Sequence, residues 1–313
     1  MASLELVPYT GTLEARTQSW SSLPLEARKR KAAKACLERD GETLWSLTES
    51  YLHLFGPKGA RVSSHTLRTH KASLAHLLAY SKTHGLSLLK ASSEDGARFA
   101  RHLERHFKPS SVGVRLAGAR LLYKALAWAG LEAGHPLLDV RPAPDPTEKW
   151  DKRRPYFEAE LEGLLALEQP LITRLVLLGA HAGLRVSEAL ALEWSDVDFS
   201  SETLRVQKGK GGKGRTVPLG GSLQRALEAG SGEARPLELS VFTVRLRLIA
   251  ACEQAGVEYL SYHALRHAAG TRLYRETGSL ETVARFLGHA SLETALVYAK
   301  WSDEGLRSQL KGW

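Results

Sequence analysis

The chain has 313 residues, 43% hydrophobic and 25% charged, with a formal net charge of +9. That is enough for about two domains with cores of their own. No stretch approaches the roughly 18 uncharged apolar residues of a membrane span, and the opening MASLELVPYTG lacks the basic-then-apolar order of a secretory signal, so a cytoplasmic protein without membrane attachment is expected. Cys36 and Cys252 match no metal or redox spacing, which suits a reduced compartment.

The charge is unevenly placed. Residues 41–140 hold 13 Lys+Arg against 7 Asp+Glu, whereas 151–313 hold 21 against 20. A basic excess concentrated on about a hundred residues suits a polyanion such as DNA, and so does a solvated face with no partner.

In chain order, residues 1–40 read as a helical N-terminal extension around LEARKRKAAKACLER, with no assignable role. The segment SSHTLRTHKASLAHLLAYSK repeats Leu67, Leu74 and Leu78 at helical spacing and leaves Arg68, Lys71 and Lys82 elsewhere on the turn. In SSVGVRLAGARLLYKALAWAG the apolar side is Leu116, Ala119, Leu122 and Leu126, with Ser110 or Ser111 as the expected N-cap and Gly130 as the stop. Residues 41–140 are therefore expected to form a helical domain with basic faces. Its candidate DNA contacts are Arg68, Lys71, Arg115, Arg120 and Lys124. Four prolines in RPAPDPTEKWDKRRP mark 141–155 as a linker.

Residues 156–313 open with helices in EAELEGLLALEQ and LITRLVLLGAHAG. They pass through DVDF, TLRVQ and RTVPL, and return to helices. The three short segments are β-branched or alternating and are joined by Gly-rich turns, which predicts a small antiparallel sheet. The expected fold is mainly α, with that sheet in the C-terminal domain.

Four stretches of this half carry chemistry. In YHALRHAAGTRLY, a helix places His263, Arg266, His267 and Gly270 on one face and Leu265, Ala269 and Leu273 on another. A zinc reading of the histidine pair fails: position 264 is Ala where an H-E-x-x-H helix needs its base, and Arg266 repels a dication. The face suits an anion. In GAHAGLRVSEALALEW, Arg185 is either a surface partner of Glu188 or, together with Arg266, half of a clamp on one phosphate, since guanidinium offers paired donors. VQKGKGGKGRTVPLG carries Lys208, Lys210 and Lys213 among glycines. It lacks the P-loop pattern and reads either as a solvated turn or as a mobile one that delivers a proton.

In LGHASLETALVYAK, Gly288 ends a helix built on Leu280, Val283, Ala284 and Leu287, leaving His289 in the turn. Ser291 then caps a further helix whose apolar line is Leu292, Ala295, Leu296 and Ala299. At about 100° per residue, Tyr298 points roughly 110° from the centre of that line. Its hydroxyl is then either packed or aimed at something.

The order Arg185, Lys210, His263-x-x-Arg266, His289 and Tyr298, in the boxes GLRVSEAL, KGKGGKGRTVPL, HALRH and LGHASLETALVY, resembles the catalytic signature of the tyrosine recombinases, the integrase and Xer-type family. The resemblance spans 151–300, and the basic helical half is similar to the family's core-binding domain. It implies a helical core-binding domain followed by a mixed α/β catalytic domain. It also implies a site-specific recombinase whose Tyr298 attacks DNA, leaving a 3′-phosphotyrosine and exchanging strands through a Holliday junction.

By the same resemblance, Arg185 and Arg266 neutralise the phosphorane and Lys210 protonates the leaving 5′-oxygen, with Lys208 and Lys213 as substitutes. His263 acts as base towards Tyr298 or holds it, His289 bonds a phosphate oxygen, and Glu188 and His267 give support. No metal or other cofactor is implied. The implied partners are a duplex with a specific recombination site, three further copies in a tetramer docked through the tail 301–313, and an accessory protein or second recombinase. The implied location is the nucleoid. The rival readings are type IB topoisomerase-like relaxation and a catalytically silent DNA-binding relative.

Overall fold

The computed structural model describes residues 13–147, 154–207, 214–289 and 291–299. The expected proton donors Lys208, Lys210 and Lys213 and the tail 301–313 lie outside them. The chain separates into two compact units, Met1–Pro146 and Thr147–Trp313. Among the described residues no helix is long and apolar enough to cross a membrane.

The first unit is built from α1 (Leu13–Ser21), α2 (Leu25–Glu38), α3 (Gly41–Phe55), α4 (Ser64–Thr83), α5 (Ser93–Glu104) and α6 (Pro109–Trp128). Leu116, Ala119, Leu122 and Leu126 of α6 are all fully buried and meet Leu74 and Leu77 of α4 and Leu44 and Leu47 of α3 in one core. Each such leucine contributes roughly 1.5–3 kcal/mol relative to exposure. The segment 13–40 joins the same core through Trp20, Ala32, Ala35 and Cys36, and the Trp20 indole donates to Ser46 Oγ at 3.0 Å. The start of α6 differs from expectation. The helix begins at Pro109 after Lys108, so neither Ser110 nor Ser111 is its cap. Proline fits the first helical position because its missing N–H is an orphan there in any case.

The second unit runs through α7 (Glu158–Leu165), α8 (Pro170–Ala180) and α9 (Val186–Leu190). The strands β1 (Val197–Asp198), β2 (Thr203–Val206) and β3 (Arg215–Pro218) follow, then α10 (Gly221–Glu228), α11 (Val241–Gln254), α12 (Tyr262–Thr277) and α13 (Leu280–Leu287). The sheet is antiparallel in the order β1-β2-β3, with Leu204 opposite Val217 and Val206 opposite Arg215. The nearly continuous apolar run of α8 is buried on all sides, with Leu175, Val176 and Leu178 inaccessible, because α7, α10 and α12 all pack against it. This buried rod holds the turn after α8, and thus Arg185, at a fixed distance from α12.

Candidate active site

The site is organised around one carboxylate. Glu188 lies in the first turn of α9 with its side chain 2% exposed. Its Oε2 accepts from the Arg185 backbone N–H at 2.9 Å, while Oε1 accepts from Arg185 Nη1 at 2.6 Å. The Arg185–Glu188 pair expected as one alternative is present, but it is no surface pair. Arg215, from the start of β3, adds two forked bonds, Nη1 to Oε1 at 3.1 Å and Nη2 to Oε2 at 2.9 Å. Arg266 Nη1 stands 3.6 Å from Oε2. Burial pushes the Glu188 carboxyl up, but the bonds from Arg215 and Arg185 outweigh it and hold it down at about 2.

Arg266 was expected on a cationic helix face. It is instead buried, 1% exposed, whereas His263 one turn earlier is exposed. Its Nη1 donates to Gly183 O and its Nη2 to Leu287 O, both at 2.5 Å. Burial, with Arg185 beside it, brings the guanidinium down to about 10 against the pull of Glu188, so it stays cationic at neutral pH.

The three arginines also share the C-terminal end of α13. Phe286 O accepts from Arg215 Nε at 3.0 Å, Leu287 O from Arg266 Nη2, and Gly288 O from Arg185 Nη2 at 3.4 Å. The last carbonyls of a helix have no partner within it, and cations are stabilised there. Gly288 follows at φ +64, and a Cβ on it would meet Arg215 Cδ at 3.1 Å. Glycine meets both demands without strain, and the chain turns there to bring His289 to the site. Burial, Arg266 and Arg185 drop the His289 imidazole to about 4, so it is neutral at pH 7.

Tyr298 is 2% exposed. The expected apolar line is wrong here. Leu292 and Leu296 are 54% and 51% exposed, whereas Ala295 and Tyr298 pack on Val283, Ala284 and Leu287. The physical reason is that Ser291 caps only a 3₁₀ turn, Leu292–Thr294, and the chain becomes helical again at 296–299, so one angular count does not run through the segment. Packing and placement at the site are the same fact. The ring lies against α12 at Gly270, 5.4 Å from the His267 ring and 6.0 Å from the His289 ring, and His263 meets His267 at 4.7 Å. Burial raises the phenol to about 12, against the opposing pull of Arg266 and Arg185.

The structure thus gathers Arg185, Glu188, His263, Arg266, His267, His289 and Tyr298. Arg266 Nε and His289 Nδ1 are among the buried nitrogens of this group that have no hydrogen-bond partner among the described residues. Sequence reasoning missed Arg215, although a signal was available. Alternation puts it on the inward face of β3 with Val217, where an arginine needs a carboxylate.

The candidate contacts of the first unit divide. Arg68 and Lys124 are exposed. Lys71 pairs with Glu42 at 2.9 Å, and Arg115 lies 3.6 Å over the Phe107 ring. Arg120 holds the chain after α6, donating from Nε to Leu137 O at 2.8 Å and from Nη2 to Val140 O.

Residues 164–304 match the phage integrase family, and 49–130 match the phage integrase N-terminal SAM-like domain. The chain is 30% identical over 262 residues to tyrosine recombinase XerC of Pseudomonas putida, covering 76% of this chain and 86% of that one. It is 28% identical over 287 residues to tyrosine recombinase XerD of Rhizobium meliloti, covering 82% and 91%. Its fold is shared with the XerH site-specific recombinase bound to palindromic difH substrate, at a TM-score of 0.68, 16% identity and coverage of 95% and 93%. It is shared as well with a lambda integrase dimer bound to a core site, at 0.63, 18%, and 81% and 76%. With that coverage and identity, the chain belongs to the tyrosine recombinase family and is a recombinase, an enzyme of DNA strand transfer.

Proposed function

We propose that this recombinase cuts and rejoins duplex DNA at a specific site with Tyr298 as nucleophile. The phenolic oxygen forms a bond to the scissile phosphorus while the bond from phosphorus to the 5′-oxygen breaks, leaving a 3′-phosphotyrosine and a free 5′-hydroxyl. The phenol proton passes to His263, and Lys210 supplies a proton to the departing 5′-oxygen. Arg185 and Arg266 hold the non-bridging oxygens, with His289 donating a further hydrogen bond. The observation that carries this reading is the burial of the Tyr298 ring against Leu287, whose carbonyl accepts from Arg266, one of three arginines that share one buried carboxylate. Three guanidiniums on one carboxylate leave a local excess of positive charge, which is what a doubly charged phosphorane needs.

Two such reactions on each of two sites, through a Holliday junction, exchange strands within a tetramer, with the tail 301–313 as the docking element and an accessory protein or second recombinase as a further partner. The helical domain 41–140 and the catalytic domain 156–313, joined by the linker 141–155, each contact the duplex, most contacts going to phosphates.

The test uses a supercoiled plasmid carrying two copies of the candidate site. Recombination gives two circles whose sizes follow the spacing between the sites. Relaxation without exchange would favour the topoisomerase-like reading, and binding without either product would favour the silent relative.

A further inference from the structure

Arg215 belongs to none of the expected roles, yet it is the arginine most completely engaged with the centre of the site. A carboxylate has about four lone-pair sites. On Glu188, two are taken by Arg215 Nη1 and Nη2 and two by the Arg185 backbone N–H and Nη1. Arg215 is the side chain that grips both oxygens in a forked geometry, and its own side chain is 11% exposed against 23% for Arg185. Its third nitrogen, Nε, takes Phe286 O, the first of the three successive carbonyls shared among the arginines. Arg215 therefore ties the start of β3 to α9 on one side and to the end of α13 on the other. The chain immediately before it carries Lys208, Lys210 and Lys213.

We infer that Arg215 is a positioning residue for strand cleavage: it fixes the Glu188 carboxylate and the Phe286 carbonyl so that Arg185, Arg266 and the turn bearing His289 stand as one unit. It acts through these partners. The inference rests on the reading of Arg185 and Arg266 as the phosphate clamp. Gly288 fits the same design, since a side chain there would displace the Arg215 stem. Lysine cannot replace Arg215 fully, because a single ammonium cannot span both carboxylate oxygens and a backbone carbonyl in one plane.

The test measures single-turnover cleavage of a nicked suicide substrate by the full chain and by Arg215→Gln and Arg215→Lys, over about pH 5 to 9, with duplex affinity measured alongside. Arg215→Gln is expected to slow cleavage about 100-fold and Arg215→Lys about tenfold, with duplex affinity within about threefold of wild type. The pH profile separates positioning from loss of fold. With Arg215 gone, burial lifts the Glu188 carboxyl, so Arg215→Gln gains an acid limb beyond the one that the general base His263 gives both proteins. Arg215→Lys moves that limb back, and the added substitution Glu188→Gln removes it. The inference is overturned if Arg215→Gln cleaves within about threefold of wild type with an unchanged profile, or if weaker duplex binding accounts for the whole loss. If Arg215→Gln does not fold, Arg215→Lys decides alone, and a wild-type rate and profile overturns the inference. The wild-type adduct and its absence in Tyr298→Phe, run on the same gel, report separately on the clamp and nucleophile reading.

Discussion

The Tyr298 ring lies so close to Gly270 of α12 that a Cβ on Gly270 would stand 2.5 Å from Cε1 and 2.8 Å from Cζ. This contact sets the depth of the tyrosine in the site. Gly270→Ala must therefore push the ring out, and small misplacements of a reacting group cost about 100-fold in rate. The expected outcome is an adduct that forms about 100-fold more slowly, an overpacking cost of about 1–3 kcal/mol in thermal unfolding, and unchanged duplex affinity. Cleavage by Gly270→Ala at the wild-type rate would show that the ring position in the structure is not the reactive one.

Arg185 and Arg266 are expected to separate under mutation. Arg266 is buried and satisfies two backbone carbonyls, so Arg266→Ala leaves both without a donor and should cost about 2–4 kcal/mol of stability as well as cleavage. Arg185 is partly exposed, and Arg185→Ala should lower the cleavage rate by about 10²–10³ with a much smaller loss of stability. Chemical denaturation of both variants alongside their cleavage rates checks this. Equal stability losses would contradict it.

Much of the second unit was legible in the sequence. The apolar run of α8, the three short strands and the Gly288 stop are local signals, and each stands where its pattern put it. The inward side of 291–299 was not legible, because a 3₁₀ turn breaks the angular count and tertiary packing buries Tyr298 while leaving Leu292 and Leu296 in solvent. The role of Arg215 was hidden for a different reason. It is defined by Glu188 and Phe286, 27 and 71 residues away, and no local periodicity encodes such a partner. The Arg120 bonds to Leu137 and Val140 are of the same kind.

The His289 imidazole gives a pH prediction with a definite sign. Its folded value, about 4, lies below the ordinary 6.5, so the folded chain binds fewer protons than the unfolded one between those values. The associated stability is fully present above about 6.5 and is lost as pH falls towards about 4. The loss is about 1–3 kcal/mol. The melting temperature of wild type should fall more steeply than that of His289→Gln as pH falls across that window. Parallel curves would contradict the assignment.

In the first unit, Arg68 and Lys124 are exposed, while Arg120 is committed to the chain that follows α6. Arg68→Ala and Lys124→Ala should each weaken duplex binding and reduce the slope of log affinity against log salt by about 1. Arg120→Ala should lower stability and leave that slope nearly unchanged. Titrations at several salt concentrations distinguish the two classes, and a slope change confined to Arg120→Ala would reverse the assignment.

Under the proposed mechanism the buried Tyr298 attacks a phosphate gripped by the arginines around Glu188. Its most direct test is to trap the protein on a nicked suicide substrate, resolve the covalent adduct on a denaturing gel and map the modified peptide by mass spectrometry. An adduct through Tyr298 is expected in wild type and none in Tyr298→Phe. An adduct that persists in Tyr298→Phe, or that maps to another residue, would contradict it.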